Sequence, residues 1–258
     1  MQEPRVDLPK INVHRAAERF ETASRPGDPR AGRDGVQTWH SFSFGDHYDP
    51  GNVGFGALVA HNEETVRLGA GYPEHPHRDT EILTWVLSGS LVHEDSSGHR
   101  GIVHPGLAQR LSAGSGVVHA ERNDAYRLDP GAPLEPVHFV QMWLRPDEPG
   151  TPPAYAARPV DLADLDLGWV PVASGGHPDA AVDLGSAGST LWVTRLAPGA
   201  VRTLPDAARL HVFVTRGAVE VETVGVLQTG DALRVTGPAP LRVSGVAGAE
   251  LLVWELAG

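Results

Sequence analysis

Two short pairs of potential metal ligands stand well apart in this chain. The first pair is His75 and His77, and the second is His119 and Glu121. Each pair is spaced i, i+2, so on an extended strand both side chains point to the same face. Three imidazoles and one carboxylate suit a divalent ion such as iron, copper, zinc, nickel or manganese. The pattern therefore predicts one metal site built from two strands.

The segments around both pairs have the composition of β-strands. "EILTWVLSG" leads into "SLVHED" after the first pair, and "GLAQRLSAGSG" leads into "VVHAERN" at the second, with glycines at the turns. Because the chain has 13 histidines, a single i, i+2 pair could arise by chance. Two such pairs with the same glycine framing are a much more specific signal.

The glycine framing resembles the two cupin motifs. "GAGYPEHPHRDTEILTWVLSG" carries the glycine and H-x-H of the first motif, and "GSGVVHAERN" carries the second as Gly116, His119 and Asn123. More narrowly, "WHSFSFGDHYDPGNVGFGALVAHNE", "HPHRDTEILTWVLSGSLVHEDSSG" and "LSAGSGVVHAERN" look like a pirin. This likeness is dense over residues 36 to 145 and diffuse elsewhere.

The resemblance to pirins implies a ligand set and a cofactor. The iron ligands of that family fall on His75, His77, His119 and Glu121, so we expect one divalent metal ion. Fe(II) is the first expectation, and Cu, Zn, Ni or Mn are alternatives, because this donor set accepts several ions.

The chain departs from the general cupin pattern at the usual glutamate ligand. That position is occupied by Ile82, and Glu81 lies one residue away. A slip of one residue in a strand sends a side chain to the opposite face. Glu121 shares a face with His119, so we expect Glu121 to be the fourth ligand. Glu81 is the second choice, and we otherwise expect it to pair with Arg78 or another nearby arginine.

Two functions follow from the resemblance. Some pirins show quercetin 2,3-dioxygenase activity, which opens the flavonol ring and releases carbon monoxide. In such a reaction Glu121 would take the hydroxyl proton of a chelated flavonol as a general base. Other pirins are redox-responsive regulators that use iron as a sensor and bind a partner protein. A sugar-phosphate isomerase or storage-type cupin fits the motifs less well. A deep apolar cavity beside the metal would favour the enzyme.

An internal repeat predicts the domain organisation. When the sequence is shifted by 128 positions, "WVLSGSLVHED" aligns with "FVTRGAVEVET" and Gly89 aligns with Gly217. Many short strands with glycine and proline punctuation indicate an all-β protein, which we expect to be two tandem cupin-type β-barrels (jelly rolls), a bicupin. The predicted parts are an N-terminal metal-binding cupin domain at 1–145, a proline-rich linker at 146–160 and a degenerate C-terminal cupin domain at 161–258. "VHRAAERFET" and "DLADLDL" are the short helix candidates.

The repeat also predicts that the C-terminal half has no metal site. Thr203, Pro205, Val243 and Gly245 occupy the positions that correspond to the four proposed ligands. None offers a strong side-chain ligand. His211 stands alone on a predicted strand, where a packed or surface role is the simplest interpretation.

The remaining histidines of the N-terminal half have simpler predicted roles. We expect the turn histidines His93, His99 and His104 to be exposed. His40 and His47 flank the aromatic stretch and should pack or hydrogen-bond against the barrel. His138 lies on an alternating strand and should be buried and hydrogen-bonded.

The amino-acid composition limits the classes of partner that the protein can bind. The formal net charge of −11 argues against sequence-independent binding of nucleic acid, which needs basic surface. There is no cysteine, so disulfides and thiolate ligands are excluded.

The N-terminus lacks the layout of a signal peptide, and no segment approaches membrane-spanning length, so we expect a cytoplasmic protein. A flavonol-like small molecule or a protein is the expected partner.

Overall fold

The computed structural model describes residues 9–23 and 35–258, and the regular secondary structure of these residues is almost entirely β. Contacts divide the chain into two units. We call Arg19–Asp161 with Ala173–Ala187 the N-terminal barrel. We call Met1–Glu18, Leu162–Val172 and Gly188–Gly258 the C-terminal barrel, of which residues 1–8 lie outside the described part.

The strands are numbered in chain order. Those of the N-terminal barrel are β2 (Phe20–Ala23), β3 (Val36–His40), β4 (Leu58–Val66), β5 (Gly71–His77), β6 (Glu81–Ser88), β7 (Leu91–Asp95), β8 (Arg100–Val103), β9 (Leu107–Ser112), β10 (Val117–Arg122), β11 (Val137–Leu144), β12 (Ala154–Pro159) and β14 (Val182–Asp183). Those of the C-terminal barrel are β1 (Lys10–His14), β15 (Ser189–Leu196), β16 (Val201–Thr203), β17 (Arg209–Arg216), β18 (Ala218–Val221), β19 (Gly225–Gln228), β20 (Ala232–Thr236), β21 (Arg242–Gly245) and β22 (Ala249–Leu256), and β13 (Val170–Ser174) spans the boundary. The short helical segments are the 3-10 turns Ala16–Glu18 and Ala125–Arg127 and the helix α1 (Asp164–Leu167).

The N-terminal barrel consists of a large and a small sheet. Their strand orders are β12-β9-β6-β11-β4-β3-β2 and β5-β10-β7-β8. Alternating apolar residues of both sheets, among them Val66, Val86, Leu91 and Phe139, pack into one buried core. Outside this core, the small sheet and the strands β4 and β11 bury polar side chains, among them Glu121, Asn62 and Gln141. These polar side chains belong to the candidate site.

The C-terminal barrel repeats this arrangement. It contains the run β1-β20-β17-β22-β15 and the four-stranded sheet β16-β21-β18-β19. Both ends of β17 lie 128 residues after those of β6, as the repeat predicts. Gly89 and Gly217 end these strands with the same φ of 72°, a conformation that favours glycine. The chain is the predicted all-β protein of two cupin-type barrels.

The predicted linker over 146–160 is in part a strand. β12 pairs with β9 and lies at the edge of the large sheet. Prolines disfavour a central strand but are tolerated at an edge, so this edge strand is compatible with the proline-rich composition. At the N-terminus, β1 pairs with β20 of the C-terminal barrel, where the sequence predicted part of a helix and an N-terminal domain. No local pattern reveals a pairing over so long a separation.

The other helix candidate, "DLADLDL", contains the four-residue helix α1. Within the described ranges, no helix is both long and apolar enough to cross a membrane.

Candidate metal centre

Two adjacent strands of the small sheet carry the four predicted ligands. β5 and β10 are antiparallel, and His75 pairs directly with His119. The register shifts between His119 and Glu121, so Glu121 pairs with Tyr72. Because side chains two residues apart share a face of a strand, both pairs point into the barrel. Ligand atoms of His75, His77 and His119 come within 4.8 Å of one another, whereas Glu121 shares that spacing with His119 and His93.

The three imidazoles form a compact cluster. The ring centroids of His75 and His119 are 4.4 Å apart, and each lies 4.9 Å from the ring centroid of His77. One nitrogen from each ring lies within 4.8 Å of the others. This spacing lets one ion contact all three rings after small side-chain rotations.

Several nitrogens of the cluster are buried without a hydrogen-bond partner. They are Nε2 of His77 and both ring nitrogens of His119. The Nδ1 atom of His75 lies 2.8 Å from the carbonyl oxygen of Pro73. Since a carbonyl only accepts, this nitrogen carries a proton, which in the neutral ring leaves the Nε2 lone pair available to a metal. Buried polar atoms without partners are costly, and a divalent ion would satisfy them, so the donor set fits a metal.

Burial keeps the imidazoles of His77 and His119 neutral. Burial, together with the neighbouring His119 and His75, lowers the pKa of His77 to about 4. Burial also lowers the pKa of His119. A neutral imidazole is the form that binds a metal, so both side chains are ready to act as ligands at neutral pH.

Glu121 is an ionised carboxylate held inside the barrel. Its exposed fraction is 2%, and Gln141 donates a hydrogen bond to its carboxylate. Burial by itself would raise the pKa of Glu121, but the nearby His119 and the Gln141 amide outweigh it, and the pKa is lowered. The carboxylate therefore remains available as a ligand or as a proton acceptor.

His93 is a site residue that the sequence interpretation missed. We expected it to be exposed, but it is fully buried on β7, where it pairs with Glu121. Ligand atoms of His93, His119 and Glu121 lie within 4.8 Å of one another. The Nε2 atom of His93 bonds to Asp95 at 3.2 Å, and its Nδ1 atom has no partner. The i, i+2 spacing of His93 and Asp95 is the signal that could have found it.

Asp95 connects His93 to the surface. It also bonds to the ring of His99, whose side chain is 42% exposed as predicted, and the rings of His93 and His99 both stack on Tyr155. These contacts hold the imidazole of His93 in place. His104 is exposed, as the sequence predicted.

Glu81 is located away from the cluster. It is buried and accepts hydrogen bonds from the hydroxyl of Ser112 at 2.8 Å and from the amide of Gly185 at 3.2 Å. The sequence predicted that Glu81 pairs with Arg78 or another nearby arginine. Instead, the nearby Arg110 donates a hydrogen bond to the hydroxyl of Ser112. Its neighbour Ile82 packs in the interior cluster with Leu111 and Val117. The opposite orientation of residues 81 and 82 agrees with the strand alternation used above.

A cavity of about 230 Å³ opens onto the candidate ligands. Its aromatic walls are Phe44, Tyr72 and Trp143, and Trp143 packs edge-on against His77 with 4.8 Å between ring centroids. Other walls are polar and come from strands β3 and β4, which carry His40, Thr38, Asn62 and Glu64. This volume lies just below the range of small-molecule sites, about 300–1,000 Å³.

Two further histidines have the packing roles expected of them, and a third makes the expected hydrogen bond without the expected burial. His40 hydrogen-bonds to Asn62 at 3.0 Å, and His47 stacks on Phe20 at 4.2 Å. His138 bonds to Glu63 at 2.8 Å, although its side chain is 29% exposed where burial was predicted.

The corresponding positions of the C-terminal barrel carry no strong ligand. Thr203 ends β16, and Val243 and Gly245 lie on its partner β21. His211 is fully buried. Within the described ranges, the groups of residues that could hold a metal all lie in the N-terminal barrel.

The fold and the site together define a bicupin with a candidate metal centre in its N-terminal barrel. Residues 22–144 match the Pirin family. A Mycobacterium tuberculosis protein, provisionally named a quercetin 2,3-dioxygenase, is 42% identical over 247 residues, which cover 95% of each chain. The Escherichia coli K12 quercetin 2,3-dioxygenase is 31% identical over 222 residues, or 86% of this chain and 91% of that relative. The chain belongs to the pirin family.

A solved structure supports the same relationship. The Escherichia coli bacterial pirin YhhW, crystallised in complex with nickel(II), is 30% identical and superposes with a TM-score of 0.83. The match covers 96% of this chain and 99% of YhhW. A metal is therefore bound by at least one relative with this fold.

Proposed function

We propose that this protein is a metal-dependent dioxygenase that opens flavonols in a reaction of the quercetin 2,3-dioxygenase type. One observation carries the proposal: the imidazoles of His75 and His77 and the buried carboxylate of Glu121 line a cavity with aromatic walls, and ligand atoms of His119 lie within 4.8 Å of those of all three. The names of the mycobacterial and Escherichia coli relatives support the same reaction. The aromatic walls of the cavity support a substrate-binding enzyme.

In this proposal His75, His77, His119 and Glu121 hold the metal. A bound divalent ion, with Fe(II) as the first expectation, would act as a Lewis acid toward adjacent hydroxyl and carbonyl oxygens and couple the substrate to dioxygen. The protein supplies the ligand lone pairs without further proton loss, because His77 and His119 are already neutral.

The aromatic walls would orient the substrate. Phe44 and Trp143 pack edge to face with 5.1 Å between ring centroids. A flat aromatic ligand placed against them would exclude water and direct its adjacent oxygens toward His75 and His77. Aromatic rings prefer such offset or edge contacts, so this wall is suited to a polyphenol.

Glu121 would act as the general base. One of its carboxylate oxygens would take the proton of the flavonol hydroxyl, and the Gln141 amide would keep the carboxylate in place during the transfer. The deprotonated flavonol is electron-rich enough to react with dioxygen. Both atoms of dioxygen would then enter the product at C2 and C4, the C2–C3 and C3–C4 bonds would break, and C3 would leave with its own oxygen as carbon monoxide.

The test follows three signals together: loss of quercetin absorbance, oxygen consumption and carbon monoxide release. Iron-loaded wild-type protein should show all three, and the variant His77→Ala should lose them. Equal rates in the two proteins would show that the cluster is not the reactive site. Absence of turnover with each of the five candidate metals would exclude the dioxygenase and leave the iron-dependent regulator.

A further inference from the structure

A second carboxylate lines the same cavity, away from the proposed ligands. Glu64 lies on β4, is only 3% exposed, and accepts a hydrogen bond of 2.5 Å from the hydroxyl of Tyr72. The hydroxyl of Thr38 lies 3.3 Å from that of Tyr72. The cavity therefore contains a polar subsite that the proposed metal chemistry does not use.

Strand pairing explains why Glu64 faces the cavity. Asn62 and Glu64 are two residues apart on β4, so they share the interior face. Across the strands, Asn62 pairs with His40 and Glu64 pairs with Thr38, and all four side chains line the cavity. The carboxylate is thus part of the cavity wall.

Tyr72 links this subsite to the metal cluster. It pairs with Glu121 across β5 and β10, and its ring centroid lies 6.1 Å from that of His75. Its hydroxyl reaches Glu64. The side chain of Tyr72 therefore spans the distance from the imidazole cluster to Glu64. An aromatic ligand with reacting oxygens at the cluster could place another group beside Glu64.

We propose that Glu64, held by Tyr72, accepts a hydrogen bond from a hydroxyl group on the part of the substrate that is remote from the metal. This inference rests on the proposed function and defines its substrate class as flavonols with a free hydroxyl at that end. In its ionised form the Glu64 carboxylate offers about four acceptor sites, so in that form it can accept from Tyr72 and from a ligand hydroxyl together. A ligand with an ether, a carbonyl or an anionic group at that end has no proton to donate.

The expected discrimination is large enough to measure. A hydrogen bond to a charged group contributes about 1.5–3 kcal/mol, which corresponds to a change in Kd of about ten- to a hundredfold. A flavonol that lacks the matching hydroxyl should therefore bind more weakly by that factor. Removing a hydroxyl introduces no steric clash, so the comparison isolates the hydrogen bond.

The experiment measures Kd without oxygen, on metal-loaded protein, from the absorbance change of the bound flavonol. The probes are quercetin and flavonols that each lack one hydroxyl outside the 3-hydroxy-4-keto group. Wild type should discriminate against one of them about ten- to a hundredfold. The variants Glu64→Gln and Glu64→Ala should reduce that ratio severalfold. Glu81→Gln, which alters a buried carboxylate outside the cavity, is the matched control and should keep it.

The outcomes separate this inference from the proposed function. If quercetin binds and is turned over but no deoxy-flavonol is disfavoured, or if both Glu64 variants keep the full ratio, the role of Glu64 is refuted while the dioxygenase stands. If quercetin neither binds nor reacts, both proposals fail. The subsite is supported if the ratio of the Kd of the deoxy-flavonol to that of quercetin falls in the Glu64 variants and stays unchanged in Glu81→Gln.

Discussion

Gln141 donates its side-chain amide to both carboxylate oxygens of Glu121, at 2.9 and 3.0 Å. Its own amide oxygen accepts a hydrogen bond of 3.0 Å from the indole nitrogen of Trp143. Because an indole nitrogen only donates, Trp143 determines which end of the Gln141 amide faces Glu121. Two residues of β11 thereby orient the carboxylate of β10.

Removing the Gln141 amide should weaken the metal site. In Gln141→Leu the buried carboxylate loses its neutral donor, so we expect metal affinity to fall about 10–100-fold, as for other residues that orient metal ligands. The measurement is a competition titration with a chromophoric chelator. Trp143→Phe keeps the amide and should lose less. Unchanged affinity in Gln141→Leu would show that Gln141 does not support the site.

The protein should bind one metal ion per chain. Protein purified without chelators or added metal should contain close to one equivalent by elemental analysis, and His119→Ala should lose most of it, because His119 belongs to both candidate ligand groups. Two equivalents per chain would contradict a C-terminal barrel without a site. Full occupancy in His119→Ala would refute the ligand assignment.

Substitution of the two buried glutamates should give different results. Glu121→Gln removes a proposed ligand and base, so metal retention and turnover should both fall. Glu81→Gln should leave the metal in place, because its contacts are Ser112 and Gly185. Elemental analysis and oxygen uptake on both variants provide the comparison. The reverse result would restore the ordinary cupin pattern with Glu81 as the ligand.

Metal-free protein should lose stability as the pH falls from about 6.5 toward 4. In the unfolded chain an ordinary histidine takes a proton near pH 6.5, whereas the pKa of His77 in the folded protein is about 4. Within this window the unfolded state binds more protons, so acidification favours unfolding. Tm measured in chelator at several pH values should show the slope, and His77→Gln should reduce it. Equal slopes in both proteins would contradict this origin.

The repeated turn glycine should be intolerant of a side chain. A Cβ at Gly217, where φ is 72°, would collide with the carbonyl oxygen of Gly248. Gly69 has a similar φ of 78°, but a Cβ there meets nothing within 4 Å. Backbone strain of this kind costs about 1–3 kcal/mol. In urea denaturation we expect Gly217→Ala to lose more stability than the control Gly69→Ala, and equal losses would refute the packing contribution.

The candidate ligands could be predicted from the sequence because their information is local. The i, i+2 spacing of His75 and His77, and of His119 and Glu121, determines a shared face on any strand. The same alternation separates Glu81 from the interior position of Ile82. The 128-residue repeat likewise locates β6 and β17, since equivalent turns need glycine at the same place.

Tertiary structure alone decided which distant residues complete the site. His93, Gln141 and Glu64 reach the cluster or its cavity from β7, β11 and β4, through pairings that no local pattern specifies. The placement of β1 on β20, across more than two hundred residues, is of the same kind. A strand's own sequence determines the alternation of its side chains. Its neighbours and their register depend on burial and hydrogen bonding summed over the whole barrel, so they appear only when the chain is folded.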